Sequence, residues 1–230
     1  MTTSNSRITL YSGPLSMFGA KVQIAALEKG LDFDLIMVPY DSARGYDPKH
    51  PEVLRINPKR QVPVLTHGPV EIFDSTQLFE YLEDMAPTPP LWPRDPIARA
   101  HARNLEHQSD EVYFPHIIKL MGLQDALGTE PAINAIEAAN RFYARMEQNL
   151  ESEWLAGNYS FADIAFYMAA LFGERQSAPL TASTPRLLAW RERMGQRAPV
   201  KTVVSAMAKW LKNAGRPVPA FMASLNPEGS

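Results

Sequence analysis

Apolar positions recur along this chain with two different periods, and the change between them divides it. The segment RITLYS (7–12) is a short β-prone run. After Ser16 the spacing becomes helical, with Phe18, Val22, Ala25 and Ala26 on one face as far as Gly30. FDLIMV (33–38) reads as a second strand, so strand, helix and strand form a βαβ unit. Residues 39–60, rich in Pro, Gly, Asp and Lys, read as loop with one short helix near 51–56. VPVLTH and VEIF, separated by Gly68-Pro69, read as a hairpin. DSTQLFEYLEDMA (74–86) follows as a helix, with Leu78, Phe79, Leu82 and Met85 on one side.

The segment APTPPLWPRDP (86–96) ends this alternation, because proline removes the backbone donor and fixes φ. Beyond it strand signals nearly vanish. Residues 97–121 and 131–152 read as long helices, the second carrying Ile136, Ala139, Tyr143, Met146 and Leu150 in a three-four alternation. FADIAFYMAALF (161–172) is apolar nearly all round, as expected of a helix at the centre of a bundle. Ser160-x-x-Asp163 ahead of it is a capping box, with Tyr159 and Ile164 placed as a hydrophobic staple. Helices near 184–197 and 200–212 follow; the last carries Val200, Val203, Val204, Met207, Trp210 and Leu211 on one face. The Pro/Ala-rich tail from Gly215 is expected to lie loosely on the surface. The pattern predicts an α/β domain over 1–86, a linker over 87–96 and an all-helical domain over 97–230.

Composition narrows the chemistry. The 230 residues are 45% apolar and 21% charged, an ordinary globular balance. A formal charge of −2 gives no electrostatic reason to expect nucleic acid or an anionic membrane as partner. There is no cysteine, which removes disulfides, thiolate metal sites and any protein thiol nucleophile. The polar start MTTSNSR lacks the apolar core of a secretory signal, and 161–172 is too short to span a bilayer and carries Asp163. A soluble, cytoplasmic protein is expected. The common phosphate-loop, zinc-protease and serine-hydrolase motifs are missing. His50, His67, His101, His107 and His116 are scattered, and no metal site is expected from them.

Three features carry candidate chemistry. Ser16, just after the first strand, can cap the following helix; it also stands where backbone N–H groups and the helix dipole favour an anion such as a thiolate. Ser12 and Tyr11 are rival hydroxyls at the same mouth. Pro63 interrupts an apolar strand. With a cis Val62–Pro63 bond, Val62 would offer its N–H and C=O to a peptide-like ligand, whereas a trans proline would only guard a sheet edge. Asp74 and Ser75, at the start of a helix, can cap it or grip the ammonium and carboxylate of a free amino-acid head group.

In this order, ahead of a proline linker and a helical domain, these features resemble the soluble glutathione transferase family along nearly the whole chain. LYSGPLSMFGAKVQIAALEKGLDF is similar to the family's first strand and helix, and INPKRQVPVL to its NP-x-x-(K/Q)-VP-x-L segment. FDSTQLFEYLED is similar to its (E/D)-S-x-x-I-x-x-YL helix, PTPPLWPRDPIARA to the linker of zeta-like and related bacterial members, and NYSFADIAF to its buried-helix capping box. The resemblance implies a thioredoxin-like N-terminal domain, an all-α C-terminal bundle, glutathione as co-substrate with no metal, a homodimer and a role in detoxification. It also implies that Val62 pairs with the cysteinyl backbone, that Asp74 and Ser75 hold the γ-glutamyl group, and that Gln61 contacts the glycyl half. Ser16 would donate to the sulfur, and a hydroxyl plus a helix N-terminus would lower the thiol pKa by ~2 units.

The acceptor pocket implied by the family would draw on Met17, Phe18, Tyr113, Phe114 and Ile117, residues that fit a bundle core equally well. The small electrophile would then be largely apolar. The chain departs from the family's cysteine-type members, and it carries Leu15-Ser16-Met17-Phe18 where zeta-type isomerases have an S-S-C run. A non-catalytic, protein-binding relative and a glutathione-dependent lyase, isomerase or dehalogenase remain alternatives.

Overall fold

A computed structural model describes residues 7–41, 44–47 and 49–225. The polar start MTTSNS, part of the 39–60 loop and the last residues of the tail lie outside these. The chain divides into two compact units, 1–90 and 91–230, with the division inside the proline-rich segment.

The N-terminal unit has the predicted βαβ start. Strand β1 (Ile8–Ser12) leads to α1 (Met17–Glu28) and β2 (Phe33–Met37). After the loop and α2 (Pro51–Ile56) come β3 (Val64–His67), β4 (Val70–Phe73) and α3 (Ser75–Met85). The sheet order is β2-β1-β3-β4, with β1 parallel to β2, antiparallel to β3, and β3 antiparallel to β4. This is the thioredoxin-like arrangement. Alternation along each strand divides the core. Ile8, Leu10 and Leu65 pack with Val22, Ala26, Leu78 and Leu82 from α1 and α3, whereas Tyr11 and Val64 face Val38 and Val53 on the other side.

Lys29, the C-cap of α1, has a side chain with no exposed surface. Its ammonium meets Glu83 Oε2 at 2.5 Å and donates to the carbonyls of Ala86 and Pro89 at 2.7 and 3.1 Å. A buried ammonium needs a full set of acceptors, and here they come from the end of α3 and the segment after it. The predicted strand from Val62 begins two residues later, at Val64, because Pro63 has no N–H to offer a ladder.

The second unit is helical: α4 (Pro96–Gln108), a π-helical turn (Ser109–Tyr113), α5 (Phe114–Met121), a 3₁₀ turn (Gln124–Ala126), α6 (Glu130–Asn149), α7 (Phe161–Arg175), α8 (Pro185–Gln196), α9 (Ala198–Asn213) and the short α10 (Ala220–Ala223). Asp95 starts α4 by accepting from the N–H groups of Ile97 and Ala98 at 3.1 and 2.8 Å. The single helix expected over 97–121 is interrupted. Pro115 cannot donate to the carbonyl four residues back, and the chain widens into the π turn ahead of it.

Helix α7 is buried along most of its length, with Phe161, Ile164, Phe166 and Met168 fully enclosed. The tail corrects the expectation of a loose surface segment. Met222 is fully buried and Ser205 Oγ donates to the Leu225 carbonyl at 3.1 Å, so one apolar anchor and one hydrogen bond outweigh the proline-rich composition around them. Among the described residues no helix is long and apolar enough to cross a membrane.

Candidate functional site

The sheet register brings the three sequence features to one end of the N-terminal unit. Tyr11 pairs with Val64 and Val64 with Phe73, so these residues form one row across β1, β3 and β4. Ser12 and the Gly13–Ser16 turn leave the row from β1. Val62 and Pro63 arrive at it before β3, and Asp74 and Ser75 leave it from β4. Residues far apart in sequence therefore share one rim because two antiparallel pairings align their strand ends.

Ser16 is the N-cap of α1, with extended backbone and 7% exposure. Its Oγ accepts from the Gly19 N–H at 2.9 Å, and the hydroxyl's own proton has no acceptor among the described residues. Gly19 is required here, since a Cβ would overlap Ser12 Oγ. Ser12 is completely buried beneath α1, and its Oγ accepts from Gln23 Nε2 at 2.8 Å. Tyr11 packs among Val38, Val53 and Val64, with its ring 4.9 Å from that of His50. Burial first, and the Glu52 charge second, push its phenol above the usual tyrosine range. It therefore stays protonated at neutral pH. Of the three hydroxyls, that of Ser16 stands at a helix N-terminus, and unlike that of Ser12 its residue is not completely buried.

The Val62–Pro63 peptide bond is cis. Val62 stands outside the β1/β3 ladder, which begins at Val64. The loop ahead of it is organised by Asn57, which is 4% exposed. Its Nδ2 donates to the Gln61 carbonyl at 2.6 Å, its Oδ1 accepts from the Lys59 N–H at 2.9 Å, and its carbonyl accepts from the Arg60 N–H at 2.8 Å. Gln61 is left exposed. Asn57 was not among the residues expected at the site; the Asn-Pro pair opening the loop is its one sequence signal.

Asp74 caps α3, its Oδ1 accepting from Thr76 N–H at 3.1 Å and more weakly from Gln77 N–H at 3.5 Å. Its φ of +76° is a conformation that costs a non-glycine residue about 1–3 kcal/mol, and such strain concentrates at functional sites. Ser75, the first residue of α3, is 4% exposed. Nearby, Arg55 bridges Glu52 and Glu71 at 2.6 Å each, tying α2 to β4. Hydrogen bonds from the guanidinium hold both carboxyls below the usual range, but the cluster is solvent-exposed and adds little stability.

Met17 is buried on α1 and Phe18 is half-buried, with the Lys21 ammonium 5.5 Å from its ring. Tyr113, Phe114 and Ile117 are buried in the helical unit. The Tyr113 hydroxyl bonds that of Tyr143, which donates to the Ala178 carbonyl at 2.9 Å, and the Tyr113 ring packs against Phe142 and Phe166. Burial holds the Tyr113 phenol far above its ordinary range. No group of three or more His, Asp or Glu side chains gathers at metal-binding range among the described residues.

Comparison with known proteins agrees with this architecture. The glutathione S-transferase N-terminal domain matches residues 10–90 and the C-terminal domain matches residues 114–198. Glutathione S-transferase Z2 of Arabidopsis thaliana is 32% identical over 174 residues, which is 73% of this chain and 74% of that protein. The stringent starvation protein A homolog of Coxiella burnetii is 33% identical over 118 residues; the match spans 50% of this chain and about half, 52%, of that relative. Among solved structures, the beta-etherase LigF of Sphingobium sp. strain SYK-6 superimposes with a TM-score of 0.71 at 26% identity, covering 85% of this chain and 98% of that one. With both domains matched in order and the strand ends converging as described, this chain belongs to the glutathione S-transferase family.

Proposed function

We propose that the chain is a glutathione S-transferase that binds glutathione along the rim formed by Val62, Asp74 and Ser75, and activates its thiol through Ser16. The observation that carries this reading is the Ser16 hydroxyl. It is anchored as an acceptor to Gly19 N–H, and its proton is left to donate. A donor fixed at a helix N-terminus stabilises a thiolate over a thiol. Ser12 likewise accepts a hydrogen bond, from Gln23, but it is completely buried beneath α1, which supports assigning the role to Ser16. The bound thiol releases its proton to solvent. Its sulfur then forms a carbon–sulfur bond to the acceptor while the leaving group departs with the bonding electron pair.

Val62 supplies an N–H and C=O outside the ladder for the cysteinyl backbone. Asp74 faces the ammonium of the γ-glutamyl group, and Ser75 with the α3 N-terminus faces its carboxylate. Gln61 reaches the glycyl half. Met17 and Phe18 line the acceptor side, which favours an apolar electrophile.

A panel of apolar electrophiles (aryl halides, alkyl halides and activated alkenes) assayed for thiol consumption tests the transferase step. Enzyme-dependent loss of glutathione with at least one class is expected. Conversion of a substrate without net thiol loss would move the activity to an isomerase. No turnover with any member would contradict the electrophile class proposed here.

A further inference from the structure

The loop between β2 and α2 carries a tyrosine whose placement the roles above do not use. The Tyr46 hydroxyl accepts the Leu15 N–H at 3.2 Å, across 31 positions of sequence. Its ring lies over Gly13, where a Cβ would overlap the phenol, so glycine is the residue that admits it. The loop is braced to deliver this ring. Asp41 and Gly45 exchange backbone hydrogen bonds at 2.7 and 2.8 Å, Arg44 N–H donates to Asp41 Oδ1 at 2.9 Å, and Tyr40 meets Tyr46 edge-to-face at 4.8 Å.

What the phenol holds is the turn that sets Ser16. Gly13 to Ser16 form a β-turn closed by Ser16 N–H to the Gly13 carbonyl at 3.2 Å, with Pro14 in its second position. In such a turn the third residue's N–H points outward and has no partner within the turn. Here that N–H belongs to Leu15, a residue only 9% exposed, and Tyr46 satisfies it. Rotation of the Pro14–Leu15 peptide in search of another partner would carry Ser16 with it. We propose that Tyr46 is a positioning residue for the thiol site: its phenol locks the Gly13–Ser16 turn in the form that presents the Ser16 hydroxyl to the sulfur. This rests on the glutathione reading above and adds to it a loop residue that acts through Leu15.

The test is Tyr46→Phe, which keeps the ring over Gly13 and removes the acceptor. Ultraviolet thiolate absorbance of glutathione in the saturated complex, titrated against pH, reads the site directly. In the variant the midpoint is expected to rise by about half a unit, roughly a threefold loss of thiolate below the midpoint. Turnover falls by a similar factor, while KM for glutathione changes less than about twofold. Because the midpoint is read in the bound complex, a loss of stability in the variant does not mimic this result. A variant titration that superimposes on the wild type would overturn the proposal and leave Tyr46 as packing for Gly13. A wild-type complex with no thiolate band would overturn the Ser16 reading itself, and this inference with it.

Discussion

Asp163→Ala is expected to cost the chain about 3–5 kcal/mol of stability, the range of a broken buried polar network. The carboxylate is fully buried and accepts four hydrogen bonds: from Leu155 N–H, Ser160 N–H and Trp190 Nε1 at 3.0 Å each, and from Ser160 Oγ at 3.2 Å. It thus joins the segment before α7, the helix N-terminus and α8. Alanine would leave three buried N–H donors without this acceptor at the centre of the bundle. At about 2–4 °C per kcal/mol for a chain of this size, the melting temperature should fall by about 6–20 °C. A drop within a degree or two would mean that water replaces the carboxylate without penalty.

The same residue makes stability depend on pH. Burial pushes the Asp163 carboxyl up to about 6, and the donors from Leu155, Trp190 and Ser160 only partly offset it. An unfolded aspartate titrates near ~3.9. Between these values the native chain holds a proton that the unfolded chain has lost. The contribution is therefore fully present below about pH 4 and is lost as pH rises through about 6, by about 3 kcal/mol in total. Urea midpoints measured between these limits should show this decline in the wild type and less of it in Asp163→Asn.

Ser16→Ala is expected to lower turnover roughly 10- to 100-fold, about 1–3 kcal/mol of transition-state stabilisation, with little change in glutathione affinity. The serine has two separable roles. As a cap it accepts the Gly19 N–H, and its loss costs about 1 kcal/mol of stability. As a donor it acts on the sulfur. Ser16→Thr preserves both and should recover much of the activity. Ser16→Asp keeps an acceptor for the Gly19 N–H but has no proton to donate, so its stability should recover while its turnover stays low. Unchanged turnover in Ser16→Ala would transfer the donor role to another hydroxyl.

Much of the architecture was legible in the sequence because its causes are local. The period change near the proline-rich segment and the Ser160–Asp163 cap both act within a few residues. The helix-start positions of Ser16, Asp74 and Ser75, on which the proposed site rests, were legible because capping residues act locally. The π turn before Pro115 was not: a proline inside 97–121 signals a disturbance but does not say whether the helix kinks, ends or widens into a π turn. The docking of Met222 is not legible, because the composition around it reads as surface while its burial is tertiary. Tyr46 bonds the Leu15 N–H 31 residues away, a contact no side-chain spacing encodes, whereas Asn57 bonds the backbone of its own loop and has the Asn-Pro pair as its local signal.

Isothermal titration of the chain with glutathione decides whether the rim at the end of β1, β3 and β4 is a glutathione site. A saturable heat with one site per chain and a dissociation constant of about millimolar or tighter is predicted, weakened by Asp74→Ala and little changed by Ser16→Ala. Absence of binding at millimolar glutathione would contradict the account and leave a family fold put to another use.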